Sequence, residues 1–399
     1  MSQTAIRQDE IQLQDPVLEC APGRAVRITR LSLTDFRSYE RGEIALDGRP
    51  VAIAGANGAG KTNILEAISL IGPGRGLRQA RLHELPRIGG PGGWAVSARV
   101  DDGQDERSFG VGVAASKPER RVCRMDDAPA SGPGAFAAHL RFLWLTPAQD
   151  RLFMEGASER RRFFDRMTLA HDPEHGKSSS AYELAMRQRQ RLLDEGGADD
   201  RWLTALEIQM AEAGVAIAAA RRETASLLAA ADIASAQTLF PAADIALEGV
   251  LETALETEKA ADTEAAFADQ LRARRRLDAD AGRALVGPHR SDLLVTHREK
   301  SQPARLCSTG EQKALLIGLV LANARALSRR PGGAPLILLL DEIAAHLDPD
   351  RRAGLFSILS ELGFQTFMTG TDKNLFTAWG ERAQYFEARG GALHESLLT

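Results

Sequence analysis

The sequence is poor in sulfur, in long apolar runs and in surplus positive charge. Three cysteines occur in 399 residues, Cys20, Cys123 and Cys307. They are far apart, odd in number and without metal-ligand spacing, which excludes a disulfide framework and fits a reducing compartment. No uninterrupted stretch of about 18 apolar residues is present, so no membrane span is expected. Residues 1–23 lack the apolar core of a secretory signal and read as a loose tail cut off by Pro22-Gly23. The formal net charge of −4 argues mildly against a protein that coats DNA by bulk charge, while leaving room for local basic patches. Internal repeats are absent, and no heptad pattern is sustained long enough for an extended coiled coil. What remains is ordinary globular composition, 44% hydrophobic and 26% charged, in a chain long enough for two or three domains and a large core.

Along the chain, apolar alternation from Arg24 to Phe36 predicts a half-buried strand, and Glu43–Leu46 and Val51–Ala54 predict two more. A glycine-rich turn follows, then a helical pattern from Lys61 to Ile71. Residues 72–93 read as a loop. Trp94–Val100, Phe109–Val113 and Arg121–Met125 read as strands of an antiparallel sheet, and Phe142–Leu145 as a short apolar strand. From Ser158 the character turns helical, with polar breaks at 172–180 and 194–200, an Ala-rich helix from Trp202 to about Ala230 and another at Phe267–Leu277. The block 151–283 therefore reads as an all-helical insertion. Strand and helix alternate again afterwards, with Leu336–Leu340 as a central parallel strand.

Chemistry concentrates in three motifs. Gly55-Ala56-Asn57-Gly58-Ala59-Gly60-Lys61-Thr62 fits G-x-x-x-x-G-K-[ST], between a strand and a helix as the mechanism requires. Its glycines let backbone N–H groups face phosphates, the helix N-terminus adds partial positive charge, Lys61 reaches the β and γ phosphates, and Thr62 offers its hydroxyl to Mg²⁺. Leu336 to Leu340 ends in Asp341-Glu342, where Asp341 suits the Mg²⁺ site and Glu342 the attacking water. Ser308-Thr309-Gly310-Glu311-Gln312 precedes a helix, an arrangement that can bind an anion or simply cap the helix.

In that order, the third segment resembles the signature motif of ABC-type ATPases, with Cys307 where leucine is usual. The resemblance implies that Ser308 and Gly310 meet the γ-phosphate of a nucleotide held by a partner's P-loop. Ala345-His346-Leu347-Asp348 resembles the loop through which Asp348 would signal across a dimer. The histidine usual in transporter ATPases is missing near Met368-Thr369-Gly370-Thr371-Asp372, with Thr369 or Thr371 as stand-in. The insertion between Lys61 and Ser308 is longer than in transporter subunits and far shorter than in SMC-type proteins.

Thr34-Asp35-Phe36-Arg37-Ser38-Tyr39, Arg160-Arg161-Arg162-Phe163-Phe164-Asp165 and Gly287-Pro288-His289-Arg290 together resemble the RecF family, from about Arg24 to the C-terminus. Ala148, Glu155 and Ala157 depart from its pattern. The resemblance implies an α/β fold: an ABC-type P-loop ATPase head, with a mixed sheet, helices and an antiparallel sheet, formed by residues 24–150 and 284–399. The all-helical arm is inserted at 151–283. It further implies a cytoplasmic, ATP-bridged homodimer that binds duplex DNA and gap junctions, hydrolyses ATP slowly with Mg²⁺, and assists RecA with RecO and RecR. Arg37 is a candidate nucleotide contact. Arg75, Arg78 and Arg81 in the basic loop, and Arg272, Arg274, Arg275 and Arg276, are candidate phosphate contacts for DNA. His289 and Arg290 could lie near the same surface. A transporter ATPase and an SMC-like tether are the alternatives.

Overall fold

The computed structural model describes residues 26–196, 199–233, 239–330 and 335–397. The expected N-terminal tail and Cys20 lie outside them. Strands β1 (Arg27–Phe36) and β2 (Tyr39–Ala45) form a hairpin, β3 (Val51–Ala54) runs into the glycine-rich turn, and α1 (Lys61–Ile71) follows. Next come β4 (Trp94–Asp101), β5 (Glu106–Val113), β6 (Arg121–Met125), β7 (Ala128–Ala130) and β8 (Arg141–Leu145). The helical region holds α2 (Ala157–His171), α3 (Glu174–Glu195) and α4 (Asp200–Ile233). It continues through β9 (Ala243–Glu248), α5 (Val250–Ala254), α6 (Ala260–Ala273) and α7 (Arg275–Ala281). The chain ends with β10 (Asp292–His297), β11 (Gln302–Pro303), α8 (Thr309–Ser328), β12 (Leu336–Leu340), α9 (Pro349–Leu362), β13 (Thr366–Gly370), β14 (Gln384–Arg389) and β15 (Ala392–Glu395).

Two large sheets make the head. One is antiparallel, in the order β2-β1-β4-β5-β6-β7; the other runs β15-β14-β3-β13-β12-β8, parallel except for β15. All five residues of β12 are buried, as its unbroken apolar run requires of a central strand. Its side chains alternate between two cores. Ile337 and Leu339 face α1 and the antiparallel sheet, while Leu336, Leu338 and Leu340 face α2, α8 and α9. This layering places the C-terminal ends of β3, β12 and β13 side by side, the position at which parallel α/β sheets present their ligand-binding loops.

The insertion departs from the sequence reading in four places. It is not all-helical: β9 pairs antiparallel with β10 across the whole of Ala243–Glu248. Its Ala-Asp-Ile-Ala-Leu-Glu alternation is short and alanine-diluted, which hides a period of two among helical neighbours. Packing also draws the division later than residue 151, because Phe163, Phe164 and Met167 of α2 lie in the head core with β8. The polar residues 172–180 are mostly helix α3, whose start Asp172 braces by accepting from the Glu174 N–H at 2.9 Å. The single helix expected at 267–277 is two, broken at Arg274.

Helix α4 is, by length and composition, apolar enough to cross a membrane. Here 56% of that apolar window is buried, packed by α3, α6 and α8, and the helix carries Glu207 and Arg221 into the interior. Buried charge then locks the arm. Arg189, 1% exposed, donates to Glu207 at 3.0 Å, Asp278 at 2.8 Å and the Leu271 carbonyl at 2.7 Å. Arg221 of α4 reaches Asp165 of α2 at 2.7 Å and Glu252 at 3.0 Å. Burial alone would raise the Asp165 carboxyl, but His175 and Arg221 pull it down to about 2. The Tyr182 hydroxyl donates to His289 Nδ1 at 2.8 Å, and His289 Nε2 donates to the Ala284 carbonyl at 3.0 Å. His289 is thus held through both ring nitrogens.

Removing one member of a buried charge cluster leaves the others desolvated and short of a partner. Arg189→Met is expected to lower unfolding free energy by roughly 3–5 kcal/mol in urea denaturation. A loss below about 1 kcal/mol, the range of exposed pairs, would mean that the cluster is solvated.

Candidate nucleoside triphosphate site

The turn between β3 and α1 is shaped by its glycines. Gly60 has φ +99°, and a Cβ there would lie 2.7 Å from Ser38 Oγ and 2.9 Å from the Tyr39 hydroxyl. Gly55, at φ +155°, leaves no room beside the Ala388 carbonyl. Tyr39 donates to the Gly60 carbonyl at 3.2 Å, so the first hairpin buttresses the turn. Lys61 is 4% exposed. Its Nζ donates to the carbonyls of Gly55 at 2.7 Å and Ala56 at 3.0 Å and lies 3.8 Å from Glu342. Asn57 and Gly58 complete the turn on its solvent side, and Ala59 packs against the head core.

Asp341 stands where β12, β13 and α1 meet. It accepts from the Thr62 hydroxyl at 3.0 Å and from the Thr369 hydroxyl at 2.6 Å. Burial pushes its carboxyl up; the two threonines pull it down, and the neighbouring Glu342 pushes it up again, with a net rise. The Glu342 backbone N–H donates to Thr369 Oγ1 at 3.0 Å, and Glu342 adopts φ +55°, a left-handed conformation costly for a residue with a Cβ. Of the two threonines named as histidine stand-ins, Thr369 is the one that touches both carboxylate residues; Thr371 is exposed. A hydroxyl and a carboxylate are hard oxygen donors suited to Mg²⁺. No group of three or more metal-binding side chains occurs among the described residues.

Thr62, Asp341 and Glu342 line one cavity of about 500 Å³ with Arg78, Trp144, Gln149, Arg162 and Arg166. Ser308 and Gly310 are not among its lining residues. The Ser308 hydroxyl donates to Glu311 at 2.8 Å, Glu311 also accepts from the Ser308 N–H at 2.8 Å, and Lys300 pairs with Glu311. Asp348 caps α9 by accepting from the Arg351 N–H at 2.8 Å and is otherwise exposed.

Several arginines sit differently from the sequence expectation. Arg37 faces inward, not toward the turn: its guanidinium grips the buried Glu66 of α1 at 2.9 and 2.7 Å and donates to the Glu84 carbonyl at 2.7 Å. Arg78 is tied to Asn63 at 2.8 Å and Glu66 at 3.2 Å. Arg275 leaves the DNA set, because it is held by the buried Glu207 at 2.6 Å and by Asp200. Arg272 pairs loosely with Asp269 at 3.4 Å. Arg75, Arg81 and Arg276 are exposed, and Arg274 is half-buried at the α6–α7 break. The family-like triplet is structural at two positions: Arg160 forks onto Asp292 at 2.8 and 2.7 Å, and Arg161 donates to the Ser291 carbonyl at 2.6 Å. Sequence reasoning missed Glu66, a lone carboxylate inside a helical repeat that gives no outward sign of burial. It also missed Arg166, stacked on Trp144 with the guanidinium carbon 3.4 Å from the ring centroid.

A P-loop, an Asp-Glu strand end, two stacked sheets and a helical insertion define the head of an ABC-type ATPase. The family described as the RecF/RecN/SMC N terminal domain matches residues 27–392. The DNA replication and repair protein RecF of Rhizobium rhizogenes is 50% identical over 373 residues, 93% of this chain and 99% of that protein. The one from Mesorhizobium japonicum is 53% identical over 369 residues, 92% and 97% respectively. A solved RecF–ATP structure of the RecFOR pathway superposes with a TM-score of 0.80 at 22% identity, covering 94% of this chain and 98% of that one. An Smc head from Pyrococcus furiosus gives 0.52 at 17% identity, covering 93% and 96%. The chain belongs to the RecF family. The transporter and tether alternatives give way to that membership.

Because Arg37 holds buried Glu66, Arg37→Ala should act on stability before binding. A fall in Tm of several degrees, about 4 °C or more, is expected in differential scanning fluorimetry, with ATP affinity changed less than about threefold, under 1 kcal/mol. A tenfold loss of affinity at unchanged Tm would restore Arg37 as a nucleotide ligand.

Proposed function

We propose that this protein is an ATP-gated DNA clamp of recombinational repair and replication restart, acting in the cytoplasm. The observation that carries the reading is the division of the motifs. Thr62, Asp341 and Glu342 line one cavity, with Lys61 3.8 Å from Glu342, and Ser308 and Gly310 are not among its lining residues. One subunit therefore offers half of a site, and two subunits related by a two-fold axis complete two sites at once. ATP bound at the interface stabilises the dimer by linkage, and hydrolysis releases it.

The triphosphate lies along the backbone N–H groups of Gly58 to Thr62, with the α1 dipole behind it. Lys61 exchanges its carbonyl partners for phosphate oxygens. Thr62 and Asp341 would hold Mg²⁺, which when bound supplies charge neutralisation between the β and γ phosphates. Glu342 orients a water in line with the γ-phosphorus and accepts its proton as the P–O bond to ADP breaks. The backbone of Glu342, fixed by Thr369, sets the direction from which that carboxylate acts. The partner's Ser308 must release Glu311 before its hydroxyl can meet phosphate, which makes closure conditional on nucleotide and hydrolysis slow.

Arg75 and Arg81 in the exposed loop and Arg272, Arg274 and Arg276 on the arm are the remaining candidates for a sequence-independent grip on DNA phosphates. Family membership supports duplex and gap-junction DNA as the target, DNA stimulation of a weak ATPase, and RecR, RecO and RecA as partners.

Lys61→Ala is expected to abolish ATP binding and dimerisation. Glu342→Gln should retain ATP, lower turnover by about 10²–10⁴-fold and trap the dimer on DNA. Ser308→Arg should bind ATP as a monomer and fail to dimerise in light scattering. The deciding measurement is fluorescence anisotropy on a gapped duplex, with and without ATP, at several salt concentrations. ATP-dependent, salt-sensitive binding lost in Lys61→Ala is the expected result; nucleotide-independent binding or none at all would overturn the clamp.

A further inference from the structure

The cavity beside Glu342 has a second wall that the hydrolysis scheme does not use. Trp144 of β8 and Arg162 and Arg166 of α2 face the same space as Thr62, Asp341 and Glu342. Its charged groups are largely matched. Arg78 is tied to Glu66, Arg162 lies 2.9 Å from Glu159, Asp341 is held by Thr62 and Thr369, Glu342 is 3.8 Å from Lys61, and Glu155 points to solvent. Arg166 is the exception. Among the described residues no carboxylate stands within ion-pairing distance of it, and its NH1 nitrogen is buried without a hydrogen-bond partner. Stacking on Trp144 stabilises the cation but offers its N–H groups no acceptor. Burial, with Arg162 nearby, disfavours the charge, yet a guanidinium keeps its proton in proteins. A buried donor left unmet beside an open cavity needs an acceptor from outside the chain.

We propose that Arg166, laid on Trp144, forms an anion subsite that receives inorganic phosphate leaving the ATPase centre. This rests on the ATPase reading above, since hydrolysis generates the dianion in the same cavity. Asp341 and Glu342 repel that product, and Lys61 stays with the nucleotide. A fork-shaped cation a short way along the cavity, with no carboxylate of its own, draws the phosphate off the reaction axis. The exposed Arg162 marks the mouth on the solvent side. Arg166 touches product and not the reacting atoms; it sets the release step.

The test titrates inorganic phosphate into full-length wild type, Lys61→Ala and Arg166→Gln by calorimetry, with ATP binding followed separately. Wild type and Lys61→Ala are expected to bind phosphate alike, whereas Arg166→Gln loses at least tenfold in phosphate affinity and keeps its affinity for ATP. Phosphate binding that survives Arg166→Gln and disappears in Lys61→Ala would place the anion on the P-loop and overturn the subsite. Steady-state inhibition of the wild type by phosphate gives a check that needs no variant. A noncompetitive pattern against ATP is expected, and a purely competitive one overturns the proposal. Wild type that binds phosphate but never hydrolyses ATP would sink the ATPase reading while leaving the subsite standing.

Discussion

The Asp341 carboxylate, clasped between Thr62 and Thr369, is the contact on which the rest of the head depends. It ties the N-terminus of α1 to the ends of β12 and β13, so three elements distant in sequence share one fixed point. Burial makes the charge costly and the two hydroxyls offset that cost. The register of the parallel sheet follows, because a slip of β12 by one residue would exchange its two core faces and carry Asp341 out of reach. The position of Lys61 and the direction of Glu342 are set by the same point.

The arm is attached by other means. Its connection to the head runs through the buried Arg221, which bridges α4 to α2, while Arg189 binds α3 to α4 and α7 within the arm. Such pairs contribute less to net stability than to a defined geometry, since each cation has one set of partners that satisfies it. An arm fastened in this way keeps a fixed attitude to the nucleotide site, as any coupling between ATP and DNA requires.

The grouping of Lys61, Thr62, Asp341 and Glu342 was legible in the sequence because its signal is local. A glycine-rich turn with Lys61-Thr62 and an apolar strand ending in Asp341-Glu342 carry their geometry in consecutive residues. The reading failed where meaning depends on contacts far along the chain. Arg37 and Arg275 look like free cations until Glu66 and Glu207 are seen beneath them. β9 looks helical until β10 supplies its ladder. Arg166, just past the family-like segment 160–165, gave no signal, for its isolation from carboxylates is a fact of packing alone. Thr369 is intermediate, since its place at the end of β13 made it a candidate and only the structure separates it from Thr371.

The left-handed backbone of Glu342 bears on how the protein drifts over generations. Glycine or asparagine would sit there with less strain, so mutational chance alone would carry the position toward a more stable head without the proposed base. On the proposed role of Glu342, a glutamate at φ +55° persists against that slope only while hydrolysis is selected. Lineages that keep the clamp but dispense with turnover should therefore lose this side chain first, and gain stability in doing so.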